Sequence, residues 1–500
     1  MASATTPRPV ELLPAVQSFI AGPKQLLIGG RHVDAEAGGT FETTDPATGE
    51  VITSVAAATE RDVHRAVESS REALRGPWSR MGAHDRERVL HRLAELIESH
   101  GEELAQLDSL DSGKPFRQIE AVDVQLAIGQ FHYYAGWVTK IEGATLPVLM
   151  PDTHVTTRRE PVGVVGAIVP WNFPLCQAAF KLAPALAAGC TVILKPAEQT
   201  PLSGIRLGEL ALEAGIPEGV VNVVTGFGTA GAALVEHPGV DKIAFTGSEE
   251  VGKEIARRGA ATLKHVSLEL GGKNPNIVFA DADVEQAAVA AATTAFFYTG
   301  QVCAAGSRLM VDRTVYDEVV AAVVEEAGKL QLGPGLAEET TLGPLVSEEQ
   351  RRRVIGFLEG AAADGATVAT GGNIPNGPLA GGWFHEPTVI TDVSDDHAIV
   401  RHEVFGPVVV VQPFESVEEV AARANHSSFG LAAGVWTKDL RKAHALADAL
   451  EAGTVWVNTY SVFDAVAPWG GYKQSGYGRD GGREGIEKYL QTKTVWTNFG

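Results

Sequence analysis

The pattern of apolar and polar positions in the first part of the chain predicts short strands followed by helices. The first ~20 residues carry no periodic pattern and predict a loose arm. The stretches 61–75 and 88–110 place apolar residues at helical spacing, and Gly113 and Pro115 are expected to end the second helix. Three apolar-rich runs between Gly, Pro and Asp turns predict strands at 25–28, 40–43 and 51–55.

From residue 161 onward, strand-like and helix-like patterns alternate. The strand-like runs are mostly apolar, which predicts a parallel sheet covered by helices on both faces. These strands are expected at 162–169, 191–194, 220–224, 242–245, 266–270 and 276–279, with helices at 175–188, 202–214 and 249–258. Later strands are expected at 309–311, 408–413, 432–436 and 454–458. Residues 489–498 alternate as a strand does, which fits an interface strand or an edge strand of the same domain.

Length and charge narrow the class of protein. A chain of 500 residues, 45% hydrophobic and 21% charged, is long enough for two or three globular domains and excludes wholesale disorder. The net charge is −21, because 41 Lys and Arg face 62 Asp and Glu, and this disfavours binding to nucleic acid. The densest basic run, Arg351 to Arg353, follows Glu348 and Glu349 and forms no basic patch.

The cysteines and the absence of targeting patterns indicate a cytoplasmic protein. Cys176, Cys190 and Cys303 cannot build a disulfide framework, and no C-x-x-C pair suggests zinc, so no metal is expected. The N-terminus lacks the pattern of a signal peptide, and no apolar run approaches the ~18 residues of a membrane span. We therefore expect no membrane partner.

Two glycine-containing turns offer anion-binding helix starts. Residues 226–231 match G-x-G-x-x-G after a predicted strand and before a helix, a turn in which backbone amides can approach a pyrophosphate. Many such turns bind nothing, so this match alone is weak. Residues 245–248, Phe-Thr-Gly-Ser, offer a second helix start, and the pattern does not decide which of the two holds phosphate.

Lys195 and Glu198 follow directly after a predicted strand. Ligands of open α/β sheets bind at the carboxyl ends of strands, and a carboxylate there can bind both ribose hydroxyls while repelling a 2′-phosphate. If Glu198 faces the adenosine ribose, NAD is favoured over NADP. The alternative is an ordinary surface ion pair.

Three residues have the chemistry of a covalent active site. Cys303 lies among small residues, as a thiol that must be approached closely requires, whereas Cys176 and Cys190 are expected to be packing residues. Glu269 lies within an apolar strand, where burial would raise its pKa and suit it to be a general base; the alternative is a strand-end carboxylate in solvent. Asn172, held between aromatic residues and prolines, offers a rigid N–H₂ donor for an oxyanion.

Together these segments resemble the aldehyde dehydrogenase superfamily, in unbroken order from about residue 27 to residue 496. The shared motifs are Pro-Trp-Asn-Phe-Pro at 170–174, Lys-Pro-Ala-Glu at 195–198, Phe-Thr-Gly-Ser at 245–248, Glu-Leu-Gly-Gly-Lys at 269–273, Gly-Gln-Val-Cys at 300–303, Glu-Val-Phe-Gly-Pro at 403–407 and Pro-Trp-Gly-Gly-Tyr-Lys at 468–473. The resemblance implies an α/β fold with a doubly wound cofactor domain (1–143 and 160–272) and an α/β catalytic domain (273–478). It also implies a small β extension for oligomerisation (144–159 and 479–500), with a homotetramer or dimer as the assembly.

The resemblance also implies a mechanism. Cys303 would attack the aldehyde to give a thiohemiacetal, whose oxyanion is held by Asn172 and the Cys303 backbone N–H. Hydride transfer to nicotinamide would leave a thioester, which water activated by Glu269 would hydrolyse to the acid. Lys181 would belong to a proton relay with a carboxylate, but Asp480 stands where many relatives carry Glu, which puts the geometry of that relay in doubt.

The cofactor implied is NAD, with NADP as a weaker alternative. The residues assigned to it are Ile168, Trp171, Lys195, Glu198, Gly228, Phe245, Gly247, Ser248, Val251, Leu270, Glu403 and Phe405. Among them, Glu403 is assigned to the nicotinamide ribose, and Phe405 is placed beside the ring. The turn at 226–231 is one residue shorter than the common family form, which predicts an altered adenine pocket.

The substrate tunnel implied by the resemblance is aromatic: Phe173, Gln177, Phe180, Phe463 and Trp469. Trp469 stands where Phe is common and is expected to reshape the tunnel. Four aromatic residues and no arginine favour apolar or aryl aldehydes over carboxylate-bearing ones. Gln177 and Asp464 could accept a polar substituent, and betaine aldehyde remains an alternative because aromatic residues suit a cationic head group.

Other functions remain open from the sequence. A CoA-acylating dehydrogenase is disfavoured because Glu269 is present to activate water. A thiol-dependent esterase could use the same cysteine and oxyanion site without redox chemistry. A non-catalytic protein would have no physical reason to keep Asn172, Glu269 and Cys303 together.

Overall fold

The computed structural model describes residues 10–500. Residues 1–9 of the predicted arm lie outside the described residues, and the remainder of the arm departs from the prediction, because Pro14–Ile20 is a helix. Pro14 stands in its first turn, where a fixed φ and a missing N–H are favourable. Val16 is fully buried in a cluster with Leu107 and Leu202, which gives this short helix tertiary support.

The helices cover both halves of the chain. They are α1 (Pro14–Ile20), α2 (Glu60–Arg75), α3 (Pro77–Arg80), α4 (Ala83–Ser99), α5 (Gly101–Ser112), α6 (Phe116–Ala121), α7 (Asp123–Ala135), α8 (Pro174–Ala188), α9 (Leu202–Glu213), α10 (Gly228–Glu236), α11 (Glu249–Gly259), α12 (Val284–Phe296), α13 (Tyr316–Lys329), α14 (Glu348–Ala363), α15 (Ala398–Arg401), α16 (Val417–Asn425), α17 (Leu440–Ala449) and α18 (Gly482–Glu487).

The strands are mostly short. They are β1 (Leu26–Ile28), β2 (Arg31–Val33), β3 (Thr40–Thr44), β4 (Val51–Ala56), β5 (Thr145–Leu146), β6 (Thr153–Pro161), β7 (Val164–Ile168), β8 (Thr191–Lys195), β9 (Val221–Val223), β10 (Lys242–Thr246), β11 (His265–Glu269), β12 (Pro275–Val278), β13 (Arg308–Asp312), β14 (Thr367–Thr370), β15 (Thr388–Thr391), β16 (Val408–Phe414), β17 (Phe429–Gly430), β18 (Ala432–Trp436), β19 (Thr454–Val457), β20 (Tyr472–Lys473), β21 (Gly476–Tyr477) and β22 (Leu490–Asn498).

The single helix predicted over 88–110 is wrong, because two helices, α4 and α5, meet at His100. His100 leaves helical geometry at φ −107° and ψ 17°, and its ring nitrogen contacts the Leu96 carbonyl. Gly101 then starts α5 where a Cβ would lie 3.2 Å from the Val124 side chain. Helix α5 is buried on nearly all sides, so its apolar residues do not form a single face. A change of apolar face between α4 and α5, which would have indicated the break, is therefore not visible in the sequence.

The first large sheet has the order β2-β1-β9-β8-β7-β10-β11-β21. Its five central strands are parallel, and their order is third, second, first, fourth and fifth along the chain. This is the order of a doubly wound sheet, in which ligands bind where the winding reverses, here between the carboxyl ends of β7 and β10. The α/β fold class predicted from the alternating pattern is confirmed.

The second large sheet, β14-β15-β16-β13-β12-β18-β19, is parallel except for β14. Its strand β12 follows closely after β11, so the chain passes from the first sheet to the second through residues 270–274. In return, β21 pairs antiparallel with β11 at the edge of the first sheet. The chain thus crosses between the two sheets twice, once after β11 and again between β19 and β21. Both crossings reach β11, the strand that ends at Glu269.

A third sheet of three antiparallel strands, β22-β6-β5, is separate from the two large sheets. Strand β22 pairs with β6 along its whole length, from Leu490 opposite Pro161 to Asn498 opposite Thr153. The late strand predicted at 489–498 thus forms a separate small sheet. The division of the chain at the predicted domain boundaries stays a prediction.

Candidate active site

A cleft of about 620 Å³ opens at the carboxyl ends of β7, β8 and β10, where the winding of the first sheet reverses. Parallel βα units place helix N-termini and strand ends together at this edge, which makes it suited to a nucleotide. Nine of the twelve residues predicted to bind the cofactor line the cleft: Ile168, Trp171, Lys195, Glu198, Gly228, Phe245, Gly247, Ser248 and Val251.

Lys195 and Glu198 form an ion pair at this cleft. The Lys195 ammonium lies 3.3 Å from the Glu198 carboxylate, and the lysine side chain is only 5% exposed. Burial lowers the pKa of Lys195, and the charge of Glu198 opposes this shift. Lys195 is therefore buried at the strand end, whereas the Glu198 side chain is 33% exposed and faces the cleft.

The start of α11 is built for close approach by a ligand. Gly247 is next to the Phe245 ring, where a Cβ would lie 2.4 Å from the aromatic carbon. Ser248 caps the helix by accepting from the Val251 N–H at 3.4 Å, which leaves earlier N–H groups of the first turn without intrahelical partners. Within residues 10–500, the buried Thr246 hydroxyl has no hydrogen-bond partner, although it lines the cleft.

Three predicted cofactor residues lie beyond this lining. Leu270 is buried and donates its backbone N–H to Ser475, and Glu403 accepts from the Gly272 N–H at 3.1 Å. Burial raises the pKa of Glu403 to about 7, although the hydrogen bond from the Gly272 N–H acts in the opposite direction and lowers it. Phe405 packs its ring edge-on against Trp171, with centroids 5.2 Å apart.

The sequence reasoning missed the wall contributed by α14. Ser347, Glu349 and Gln350 line the same cleft although they belong to the second half of the chain. Gln350 donates its side-chain amide to the carbonyls of Val404 and Phe405, at 3.2 and 2.7 Å. No local motif marks these residues, since only the fold brings α14 to the cleft.

Cys303 follows a turn of unusual backbone geometry. Tyr298, Thr299 and Gly300 all have positive φ, at 47°, 58° and 68°. At Gly300 a Cβ would lie 2.0 Å from the Gly406 carbonyl oxygen, so only glycine fits there. The turn leads the chain to Cys303, which is partly exposed at the end of a cavity.

The Cys303 thiol is protonated at rest. Burial raises its pKa to about 12, and the carboxylates of Glu403 and Glu269 add to the shift. The backbone N–H groups of Ala304 and Cys303 oppose it, because they favour a negative sulfur. The same N–H groups are donors that a developing oxyanion beside the sulfur could use.

Asn172 lies at the end of the first sheet and faces the cysteine turn of the second. Its side chain is buried and donates to the Gln301 carbonyl at 2.8 Å. An amide nitrogen carries two N–H bonds, so the second one remains for another acceptor. This hydrogen bond fixes the Asn172 amide against the backbone of Gln301, which lies two residues before Cys303 in the chain.

Glu269 ends β11 with its carboxylate buried. Neither of its oxygens accepts a hydrogen bond from any residue in the range 10–500. Burial raises its pKa well above the usual value, Asp480 adds to the shift, and Lys181, Lys488 and Arg479 oppose it. The predicted alternative, a glutamate in solvent, is wrong, since the residue is 3% exposed.

Lys181 and Asp480 form an ion pair, although the sequence put this pair in doubt because Asp480 is shorter than the Glu that many relatives carry. The Lys181 ammonium bonds one Asp480 oxygen, and the Lys488 ammonium bonds the other. Burial opposes ionisation of Asp480, but the two lysines hold its pKa below the usual range. The sequence reasoning did not identify Lys488, whose partner lies eight residues earlier in an irregular segment.

A second cavity of about 260 Å³ ends at Cys303. All five predicted tunnel residues line it: Phe173, Gln177, Phe180, Phe463 and Trp469. Val122, Leu126, Phe297 and Tyr460 are further lining residues that the sequence reasoning missed. Asp464 does not line this cavity; it belongs to a neighbouring surface depression that shares Phe463 with it.

The other two cysteines differ in their surroundings. Cys190 is fully buried, and burial raises its pKa to about 11. Cys176 is also buried, yet it forms part of the wall of the 260 Å³ cavity. Within residues 10–500, no group of three or more His, Cys, Asp or Glu side chains could hold a metal ion. Over the same residues, no helix combines the length and apolar character needed to cross a membrane.

Comparison with known proteins gives concordant matches over nearly the whole chain. The model of the "Aldehyde dehydrogenase family" matches residues 32–495. Phenylacetaldehyde dehydrogenase of Pseudomonas fluorescens is 46% identical over 491 residues, 97% of each chain. Mitochondrial benzaldehyde dehydrogenase of Antirrhinum majus is 48% identical, covering 95% of this chain and 88% of its own. The NAD+ complex of aldehyde dehydrogenase from Bacillus cereus is 50% identical, with a TM-score of 0.96 and 99% and 100% of the two chains covered.

We expect Gly300→Ala to lower activity more than its effect on folding explains. The added Cβ meets the Gly406 carbonyl and forces a left-handed residue, so we expect a destabilisation of ~2–5 kcal/mol and a displaced Cys303. Urea denaturation and the rate of Cys303 alkylation would measure the two effects. Gly328→Ala is the matched control, because a Cβ there meets nothing within 4 Å in the described part of the chain. Alkylation of Gly300→Ala at the wild-type rate would contradict this account of the turn.

Proposed function

The chain belongs to the aldehyde dehydrogenase family, and on that premise we propose the roles that its own residues take in the reaction. The protein is an NAD-dependent enzyme that oxidises an aldehyde to the carboxylic acid. The observation that carries the assignment of roles is the convergence of Cys303, Asn172 and Glu269 from two sheets around the end of one cavity.

The residues present fit NAD. Glu198 and Lys195 would hold the adenosine ribose, and the free N–H groups at the start of α11 would hold the pyrophosphate. The unpartnered Thr246 hydroxyl within the cleft is a further donor for such a ligand. Glu403 and Phe405 would lie at the nicotinamide end. When bound, NAD supplies the acceptor for the hydride of the aldehyde carbon.

Cys303 forms the bond to the aldehyde carbon. Its thiol must give up a proton to water in the bound complex, because a pKa of about 12 leaves little thiolate near neutral pH. As sulfur adds to the carbonyl carbon, the carbonyl oxygen becomes an oxyanion. The free N–H of Asn172 and the Cys303 backbone N–H stabilise that charge, and the product of this step is the thiohemiacetal.

Glu269 serves the second half of the reaction, in which the thioester on Cys303 is hydrolysed. Its buried, unpartnered carboxylate has a raised pKa, which matches it to a general base near neutrality. It takes a proton from water as the hydroxyl adds to the thioester carbon, and the sulfur leaves. Lys181, bonded to Asp480, sets the charge around Glu269 and offers a route for that proton.

We propose apolar or aryl aldehydes as the substrate class. The 260 Å³ cavity lies slightly below the ~300–1,000 Å³ of drug-sized pockets, which suits one ring with a short chain. Its walls are mostly aromatic and aliphatic, with Gln177 and three hydroxyl side chains (Thr293, Thr294 and Ser461), and none of its lining side chains within residues 10–500 is charged. The similarity to enzymes named for benzaldehyde and phenylacetaldehyde supports this choice.

We propose a homo-oligomer, with a tetramer as the assembly, in the cytoplasm. The three-stranded sheet and the turn beside it expose Leu149, Met150, Trp496 and Phe499, an apolar surface of the kind that partner subunits cover. A reducing compartment suits a free catalytic thiol, because oxidation of Cys303 would stop the reaction. Light scattering of the intact protein would give its mass.

The two alternative activities lack support. The relatives named above are dehydrogenases, and none points to an esterase or a CoA-acylating enzyme. The buried Glu269 beside Cys303 favours water as the acceptor of the acyl group.

The first prediction concerns the two chemical steps. We expect Cys303→Ala to abolish NADH formation, and Glu269→Gln to give about one NADH per active site followed by turnover lower by ~10²–10⁴-fold, since hydrolysis loses its base. Rapid-mixing absorbance would resolve the burst. In the wild type, hydrolysis should rise with pH until Glu269 ionises, because the protonated carboxyl cannot accept a proton; Glu269→Gln should lack this limb.

Cys190→Ala is the matched control, since that thiol is buried away from the cavity. We expect it to keep the wild-type burst and turnover. Normal turnover by Cys303→Ala would overturn the assigned mechanism.

The second prediction concerns the choice of coenzyme. Glu198→Gln removes the charge that repels a 2′-phosphate, so we expect kcat/KM for NADP to rise by about tenfold while that for NAD falls. Steady-state rates with each coenzyme would measure this. Glu213→Gln is the control, because it removes an exposed carboxylate that does not line the cleft, and it should leave the ratio unchanged. An unchanged ratio in Glu198→Gln would refute the ribose assignment.

The third prediction concerns the substrate. We expect kcat/KM for benzaldehyde and phenylacetaldehyde to exceed that for succinic semialdehyde by at least ~100-fold. The carboxylate of succinic semialdehyde would be buried in a cavity whose lining, over the described residues, has no positively charged side chain to pair with it. Hexanal should be accepted, and betaine aldehyde tests the cationic alternative. Initial rates over this panel at saturating NAD decide the matter, and equal rates for the carboxylate-bearing aldehyde would contradict the proposal.

A further inference from the structure

The turn before Cys303 needs external support. Tyr298 and Thr299 are not glycines, yet both have a left-handed backbone, which non-glycine residues adopt only where the surroundings hold them. Thr299 bonds the Gly343 carbonyl through its hydroxyl at 2.9 Å. Tyr298 is held instead by a hydrogen bond from its hydroxyl to the buried Asp123 carboxylate in the first half of the chain.

Tyr298 is anchored to a lysine and an aspartate beneath the turn. Its hydroxyl donates to Asp123, and the Lys114 ammonium donates to the other oxygen of Asp123 at 2.6 Å. Lys114 also lies 3.7 Å from the Asp108 carboxylate. All four side chains are buried, and a single ammonium faces the two carboxylates beneath the turn.

The same lysine supports the wall of the substrate cavity. Its ammonium lies 4.6 Å from the centroid of the Tyr298 ring and 5.0 Å from that of Phe173. The Tyr298 ring packs edge-on against Phe173 and is stacked on Phe297, with centroids 5.1 and 4.0 Å apart. Phe173 and Phe297 face the cavity, and Tyr298 and Lys114 lie behind them.

Tyr298 is connected to the oxyanion donor by two steps of hydrogen bonding. Its carbonyl accepts from both the backbone N–H and the side-chain amide of Gln301, at 3.1 and 3.3 Å. The Gln301 carbonyl in turn accepts from Asn172. A shift of Tyr298 would therefore move the acceptor that orients Asn172 and the backbone that carries Cys303.

We propose that Lys114, Asp123 and Tyr298 form a positioning unit that holds the turn before Cys303 and so sets the reactivity of that cysteine. The three residues touch neither substrate nor cofactor; they act through Gln301, Asn172 and Phe173. The inference rests on the proposed function in one respect, that Cys303 is the nucleophile. None of the motifs that identify the family includes these three residues.

Tyr298→Phe is the decisive variant, because it removes one hydroxyl while the ring keeps its stacking. Lys114→Met would leave two buried carboxylates without a cation and is a poorer test for that reason. We expect Tyr298→Phe to lower kcat per titrated Cys303 by about tenfold or more with KM for NAD little changed. We also expect alkylation of Cys303 by iodoacetamide, without NAD or aldehyde, to slow by a similar factor across the pH profile.

Tyr316→Phe is the matched control. It also deletes a hydroxyl that donates a hydrogen bond, here to the Val411 carbonyl at 3.2 Å and at a place away from the cysteine turn. A merely structural role would lower the melting temperature of both variants and leave kcat per titrated thiol and the alkylation profile at wild-type values. If Tyr298→Phe matches Tyr316→Phe in both measurements, the positioning unit is refuted.

The alkylation arm separates this inference from the proposed function. If the wild type formed no NADH from any aldehyde, the proposed function would fail. Slower alkylation of Cys303 in Tyr298→Phe than in Tyr316→Phe would still support the positioning unit, and peptide mass spectrometry would place the modification on Cys303.

Discussion

The hydrogen bond from Asn172 to the Gln301 carbonyl is the contact on which the site depends, because it joins the two large sheets where the chemistry takes place. Asn172 follows the first strand of the doubly wound sheet, and Gln301 precedes Cys303 in the half that carries the second sheet. An oxyanion donor must be fixed relative to the sulfur, since a misplacement of about 1 Å can lower a rate a hundredfold. The strained turn at Tyr298 to Gly300 and its buried anchors keep that distance.

Burial is the second constraint, and it acts differently on each reacting group. It raises the pKa of Cys303 to about 12 and the pKa of Glu269 well above its usual value, because a negative charge is poorly solvated in a buried site. The same burial would protonate Asp480, but two lysines bonded to it keep the carboxylate ionised. The site therefore keeps one charged cluster behind Glu269, while the cavity in front of Cys303 has no charged lining residue within residues 10–500.

The sequence predicted most of what local patterns encode. Strand ends could be located from apolar runs, so Lys195 and Glu198 were found at the edge of the sheet, whereas the five tunnel residues were assigned through the family resemblance. The break at His100 was missed because α5 is buried on nearly all sides and shows no change of face. Gln350 was missed because its role comes only from tertiary contact.

Two of the three departures from the family pattern, Trp469 and Asp480, are backbone partners. Each donates its N–H to the carbonyl of the other, at 2.6 and 2.7 Å, so the segment that places the Trp469 ring in the substrate cavity also places the Asp480 carboxylate against Lys181. An aspartate is one methylene shorter than a glutamate, and Lys488 occupies its second oxygen. The Trp469 ring in the cavity and the bond between Lys488 and Asp480 therefore depend on the same pair of backbone hydrogen bonds. Substrate fit and the charge around Glu269 are coupled through this pair, because a change that moves either backbone moves both side chains.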